Sequence, residues 1–262
     1  MNTESIGIFD SGVGGTSIWK EIVKCLPHES TVYLADSKNA PYGAKTSQQI
    51  IDLCVKNTEI LLAKSCKVIV VACNTATTNA IDFLRENYNV PFVGIEPAIK
   101  PAALHTRTKK VGILATKGTL SSALFHNTNS LYSQGVDVIE QVGEGLVPLI
   151  ESGKLDSIEL FELLASYLLP MVEKNIDYLV LGCTHYPYLI PMIKKIIPSS
   201  ITIIDSGEAV ARQTKNVLEK NKLLNTKGEI KKHYLYTNTS EKLLNSFLKD
   251  SLVETTVGYL DF

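Results

Sequence analysis

The sequence predicts an α/β protein of two pseudo-symmetric, doubly wound halves with mainly parallel sheets and a functional cleft between them. Short β-branched runs alternate with longer stretches of helical spacing, as in strand–helix crossover units. Two apolar runs that close on a cysteine, VIVVACNTAT (68–77) and YLVLGCTHYP (178–187), set Cys73 and Cys183 110 positions apart. A second pair, IGIFDSGVGG (6–15) and VGILATKGTL (111–120), repeats at an offset of 105. Two motif pairs at nearly one spacing argue for related halves, each supplying one strand-end cysteine and one strand-end polar loop.

Taken in order, strands are expected at residues 5–9, 31–35, 67–72, 91–95, 110–115, 136–140, 177–182, 201–205 and 233–237, each a short run rich in Val, Ile, Leu or Tyr. Residues 46–65 read as a helix that opens on a Thr46/Gln49 capping box and carries an apolar stripe through Ile50, Leu53, Cys54 and Leu61. Asp156 with Glu159 opens another in the same way, and Pro187 stands at a first helical position. A helix begins again at 206–224, with a turn at 225–228 inside a lysine-rich solvated stretch, 215–232. The boundary between halves falls near 96–100. Residues 1–97 with 208–262 are expected to form a first domain, carrying Asp10 and Cys73. Residues 98–207 form a second, carrying Cys183 and His185.

Composition narrows the function classes. The 262 residues hold 26 Lys plus Arg against 27 Asp plus Glu, so no bulk field is present to hold nucleic acid or an anionic membrane. The longest apolar runs fall far short of the roughly 20 residues that span a bilayer. The chain opens MNTESIGIFD without a positive n-region, and its five cysteines are odd in number and widely spaced. A cytoplasmic, reducing location is expected, with Cys25, Cys54 and Cys66 as packing residues.

In open α/β sheets ligands bind at the carboxyl ends of strands, where all four repeated motifs lie. The loop Asp10-Ser11-Gly12-Val13-Gly14-Gly15 lacks the glycine spacing of a dinucleotide site and the Lys-Ser/Thr pair of a P-loop. Its glycines do allow the backbone to approach a small anion at a helix N-terminus. Asp10 then reads either as a helix cap or as an acid at the site. Cys73 and Cys183 each stand after a strand and before a helix, where the helix dipole is expected to lower a thiol pKa. Cys183-Thr184-His185 is no structural metal site, since the sequence offers no second Cys/His pair, and neither a metal nor a cofactor is expected. A Cys–His nucleophile for acyl transfer is one reading, but it leaves the second cysteine without a role. Two thiols on opposite sides of one cleft suit removal of a proton from one face of a carbon and delivery of a proton to the other.

FDSGVGG (9–15), PYG (41–43), ACNTAT (72–77), ATKGT (115–119), VPLIE (147–151) and GCTHYP (182–187), in that order, resemble the bacterial glutamate racemases of the aspartate/glutamate racemase superfamily over nearly the whole chain. The resemblance implies a cofactor-independent isomerase that interconverts L- and D-glutamate, the latter for peptidoglycan, and that forms a homodimer. It implies Cys73 as base toward D-glutamate and Cys183 as base toward L-glutamate, Asp10 serving Cys73, and His185 with Glu151 serving Cys183. It further implies substrate contacts from Asp10, Ser11, Tyr42, Gly43, Asn74, Thr75, Thr116, Thr119, Thr184 and His185. Taken as residues alone, Glu151 reads equally as an exposed helix-end acid, His185 as a cap or packing residue, and Thr116 and Thr119 as caps of the next helix. Gly143-Glu144 and Phe125 depart from the family pattern, which touches packing, the dimer surface or the mouth of the cleft. A racemase of aspartate or another α-substituted acid, a Cys–His hydrolase and a carboxylate-binding module remain alternatives.

Overall fold

The computed structural model describes residues 4–95, 97–225, 231–251 and 253–262. From the N-terminus the chain forms β1 (Ser5–Asp10), α1 (Thr16–Cys25), β2 (Thr31–Ala35), α2 (Ser47–Ala63), β3 (Cys66–Val71), α3 (Asn74–Asn87) and β4 (Phe92–Gly94). There follow α4 (Ile99–His105), β5 (Lys110–Ala115), α5 (Lys117–Leu120), α6 (Ala123–Tyr132), β6 (Asp137–Val142), α7 (Leu146–Glu151), α8 (Ile158–Glu173), β7 (Tyr178–Gly182), α9 (Ile190–Ile196) and β8 (Thr202–Ile204). The chain ends with α10 (Gly207–Lys220), β9 (His233–Thr237), α11 (Glu241–Ser246) and β10 (Thr256–Tyr259).

The internal repeat appears in the sheets. One sheet runs β10-β9-β2-β1-β3-β4 and the other β6-β5-β7-β8, every pairing parallel. The order β2-β1-β3-β4 is that of β6-β5-β7-β8, so the motif pairs 6–15 with 111–120 and 68–77 with 178–187 occupy equivalent places. Parallel strands covered on both faces need continuous apolar sequence. All six residues of β3, CKVIVV, are accordingly buried. Helix α10 follows β8 of the second sheet but packs on α1 beside the first. A single apolar cluster, from Ile6, Ile18 and Trp19 to Ile150, Leu164, Leu181 and Tyr186, joins the two layers.

Local signals mostly hold, with shifts of a residue or two. Thr46 accepts from Gln49 N while the Gln49 side chain accepts from Thr46 N, completing the capping box one residue before α2. Ser157, not Asp156, caps α8, accepting from Leu160 N at 3.2 Å, and Glu159 pairs with Lys154 instead. Pro187 lies in a 3-10 turn, Tyr186–Leu189, ahead of α9. Cys66 is the first residue of β3, and Cys25 ends α1. β10 was not expected: a four-residue edge strand with a central glycine and half its residues exposed carries almost no apolar alternation. The turn at 225–228 lies, apart from Asn225, outside the described residues, as does Glu96 at the expected boundary. Among the described residues no helix is long and apolar enough to cross a membrane.

Candidate active site

The carboxyl ends of β1, β3, β5 and β7 converge on a cavity of about 10 Å³ lined by Ser11, Pro41, Tyr42, Gly43, Cys73, Asn74, Thr75, Thr116, Val147, Cys183, Thr184 and His185. Both strand-end cysteines face it, one from each sheet. Of the residues singled out in the sequence, Asp10, Thr119 and Glu151 stand just behind this lining.

Cys183 and His185 follow β7. His185 Nδ1 lies 3.8 Å from Cys183 Sγ, and its Nε2 lies 2.6 Å from Glu151 Oε1. A carboxylate only accepts, so Nε2 carries the hydrogen, and the Gly14 amide 3.3 Å from the same nitrogen is a packing contact. Glu151 is therefore not an exposed helix-end acid. Its Oε1 also accepts from Val13 N at 2.7 Å and its Oε2 from Ser37 Oγ at 2.8 Å. Burial alone would raise the Glu151 pKa, but the His185, Ser37 and Val13 hydrogen bonds outweigh it and hold the carboxyl below its usual range. Burial likewise opposes charge on His185, yet its bonds to Cys183 and Glu151 keep the imidazole pKa well above 6.5. A protonated ring there can donate from Nδ1 to sulfur.

The glycine-rich loop does grip a carboxylate, and that carboxylate is the protein's own. A Cβ on Gly12 would stand 2.0 Å from Glu151 Oε1, and one on Gly14 would stand 2.2 Å from His185 Nδ1. Only glycine at these two positions lets the loop lie against the Glu151–His185 pair of the opposite half.

Asp10 does not cap α1, whose N-cap position is Gly15 and carries no side-chain cap; it lies beside the site and holds the loop. Its Oδ2 accepts from Gly12 N at 3.1 Å and Gly15 N at 2.9 Å, which ties the loop ahead of α1, and its Oδ1 accepts from Thr184 Oγ1 across the cleft. Complete burial raises its pKa from 3.8 to about 6, against the lowering effects of His185 and the Gly15 amide. Cys73 caps α3, accepting from Ala76 N at 3.4 Å, and its thiol points to Ser11 Oγ at 3.6 Å. The expected lowering of its pKa does not occur. Burial first, and the Asp10 carboxylate second, push the Cys73 thiol well above its usual value, beyond what Ala76 and Ser11 offset.

Around the thiols stand polar groups in two states. Thr75, Thr116 and Thr119 hydroxyls lie 2.8–3.4 Å from one another, and Thr116 also caps α5 by accepting from Thr119 N. The Tyr42 hydroxyl is spent internally, donating to Asp36 Oδ2 and accepting from Asn57 Nδ2, so this residue offers the cavity its ring and backbone. Asn74, 3 % exposed, has neither its amide nitrogen nor its oxygen hydrogen-bonded. A buried amide in that condition is poised for a polar ligand.

A family model, Asp/Glu/Hydantoin racemase, matches residues 6–214. The chain belongs to this racemase family. The glutamate racemase of Ectopseudomonas mendocina is 49% identical over 222 residues, 84% of each chain. The crystal structure of glutamate racemase isoform RacE1 from Bacillus anthracis superposes with a TM-score of 0.87 at 30% identity, covering 100% of this chain and 99% of that one. The Escherichia coli glutamate racemase, solved with L-glutamate and the activator UDP-MurNAc-ala, gives the same TM-score at 30% identity over 98% of both chains.

Within this racemase-family site, sequence reasoning missed Ser37, Asp36 and Val147. Asp36-Ser37 is a polar pair directly after β2, a strand-end signal as clear as Asp10-Ser11, but nothing in the linear pattern aims it at Glu151. Of the two departures from the family pattern, Phe125 is buried in the second core, and Gly143-Glu144 line a side chamber of about 490 Å³. That chamber shares Pro41, Gly43, Thr116 and Val147 with the cavity.

Proposed function

We propose that the protein interconverts L- and D-glutamate by a cofactor-independent two-base reaction, with Cys73 and Cys183 as the proton carriers. The observation that carries this reading is the placement of the two cysteines at equivalent strand ends of two repeated sheets, facing one closed cavity. In the L-to-D direction Cys183 thiolate takes the α-proton and Cys73 thiol delivers one to the opposite face. In the reverse direction the roles exchange. His185, oriented by Glu151, stabilises negative charge on Cys183. Asp10 serves Cys73: its buried carboxyl, raised to about 6, is close enough to act on the proton affinity of the thiol and orients or helps deprotonate it. Ser11, Asn74, Thr75, Thr116, Thr119, Thr184 and the Tyr42–Gly43 backbone supply hydroxyl, amide and N–H groups for the carboxylates and ammonium of the substrate and for charge that grows as the α-proton leaves. The D-glutamate formed serves peptidoglycan synthesis. Residues 1–97 with 208–262, and residues 98–207, are the two domains flanking the cleft, a division supported by sheet membership and by α10 packing on α1. A homodimer in the cytoplasm completes the reading.

The test is incubation in D2O with either enantiomer and no added cofactor. Deuterium should enter Cα and the enantiomer should convert, and Cys73→Ser and Cys183→Ser should each abolish conversion of both. Exchange with aspartate but not glutamate would refute the substrate, and substantial conversion by either variant would refute the two-base assignment.

A further inference from the structure

The chain of contacts behind Cys183 does not stop at Glu151. The carboxylate of Glu151 is held on Oε1 by His185 and Val13, and among the described residues its other oxygen is held by Ser37 Oγ alone, at 2.8 Å. Ser37 begins the 3-10 turn Ser37–Asn39 that leads through Pro41 to the turn Tyr42–Ala44, and Pro41, Tyr42 and Gly43 line the cavity. Ser37 follows β2 of the first sheet and Glu151 ends α7 beside the second, so this single hydrogen bond joins the cavity loop of one half to the histidine partner of the other.

The terminal torsion of a glutamate is broad and roughly two-fold, so the hydrogen bonds on its oxygens set the carboxylate plane. The Ser37 bond adds a restraint on the oxygen opposite His185 and Val13. A turned Oε1 would no longer lie in line with His185 Nε2, and the imidazole that faces Cys183 from 3.8 Å would lose its orientation. We propose that Ser37 is a positioning residue for proton transfer at Cys183, acting through the Glu151 carboxylate and the His185 ring. The proposal rests on the reading of Cys183 as the base toward L-glutamate.

The experiment uses the full-length protein, Ser37→Ala and Ser37→Thr, with L- and D-glutamate carrying deuterium at Cα. Slowing transfer at Cys183 makes that step more rate-limiting in both directions. With the L label, Cys183 removes the deuterium, so the isotope effect on kcat/KM should rise in Ser37→Ala. With the D label, Cys73 removes the deuterium and the slowed step comes afterwards, so the effect should fall. A kcat lowered on the order of tenfold with KM little changed should accompany the split, and Ser37→Thr, which keeps the hydroxyl, should restore both. Isotope effects unchanged in both directions, or moved equally, overturn the proposal. Should Ser37→Ala fold poorly, the comparison is made in a Glu151→Gln background with Ser37→Thr alongside: additive losses overturn action through Glu151, and non-additive losses support it. Absence of exchange in the wild-type protein refutes the underlying activity, an outcome read before any Ser37 variant is made.

Discussion

Replacing Asp10 by Asn separates what this residue costs the fold from what it gives the reaction. Asp10 is completely buried, and its carboxyl pKa rises from 3.8 to about 6 because burial penalises the charge more than His185 and the Gly12 and Gly15 amides favour it. That rise corresponds to on the order of 3 kcal/mol of destabilisation once the group ionises. The sign follows from proton linkage: between pH 4 and 6 the native state holds more protons than the unfolded chain, so stability falls as pH rises through that window and stays low above it. Asparagine fits the same contacts. Its oxygen can accept from Gly12 N and Gly15 N, and the Thr184 hydroxyl, which now donates to Oδ1, can turn to accept from the amide. Urea unfolding of wild type and Asp10→Asn, compared at pH 4 and pH 8, should show nearly equal stabilities at the lower pH. At the higher pH the variant should be more stable by up to about 3 kcal/mol, while its racemisation rate falls sharply. A stability difference that does not change with pH, or a variant less stable at both, would refute the argument.

Other substitutions test separate parts of the molecule. Gly12→Ala puts a methyl 2.0 Å from Glu151 Oε1, and because that carboxylate ends a flexible side chain the fold should lose only about 1 kcal/mol while activity falls at least tenfold, measured by urea melts and circular-dichroism racemisation assays. Asn74→Ala removes an unpaired buried amide, so stability should hold or rise while KM for glutamate climbs tenfold or more. Lys67→Met leaves Glu29 charged and buried without its partner at 2.6 Å and should cost about 3–5 kcal/mol in chemical unfolding. Because Lys67 stands at the start of β3, away from the catalytic strand ends, kcat of the folded fraction should not change.

The sheets were legible because parallel, doubly covered strands need unbroken apolar runs, and 68–71 and 178–181 can be little else. Their duplication was legible because the repeat kept its spacing on both sides of the cleft. β10 escaped because an exposed edge strand needs no such run. At the site, the type of contact made by the glycine-rich loop was readable but its partner was not: Gly12 and Glu151 lie 139 positions apart, and only the fold brings them together. The same holds for Ser37. Cys73 shows the limit of local reasoning from the other side. Its place at the start of α3 argues for a lowered pKa, yet burial and the Asp10 carboxylate, neither visible in the neighbouring sequence, reverse the sign.

That reversal depends on burial. The cavity of about 10 Å³ has room for about one water, so it must widen to admit glutamate. The chamber of about 490 Å³ that meets it at Gly43, Thr116 and Val147 is the side from which space is available, and there the Thr75 hydroxyl is hydrogen-bonded to Thr116 and Thr119 of the other half. Parting would bring water to Cys73 and Asp10 and relax the burial that raises the proton affinity of both. Closing on substrate would expel that water again while setting the ammonium and carboxylates of the ligand beside the same groups. Among the contacts between the halves, those of Val13 and Ser37 to Glu151 and of Thr184 to Asp10 also orient the acid–base groups, so the fit of the halves and the assembly of the proton-transfer machinery are tied together.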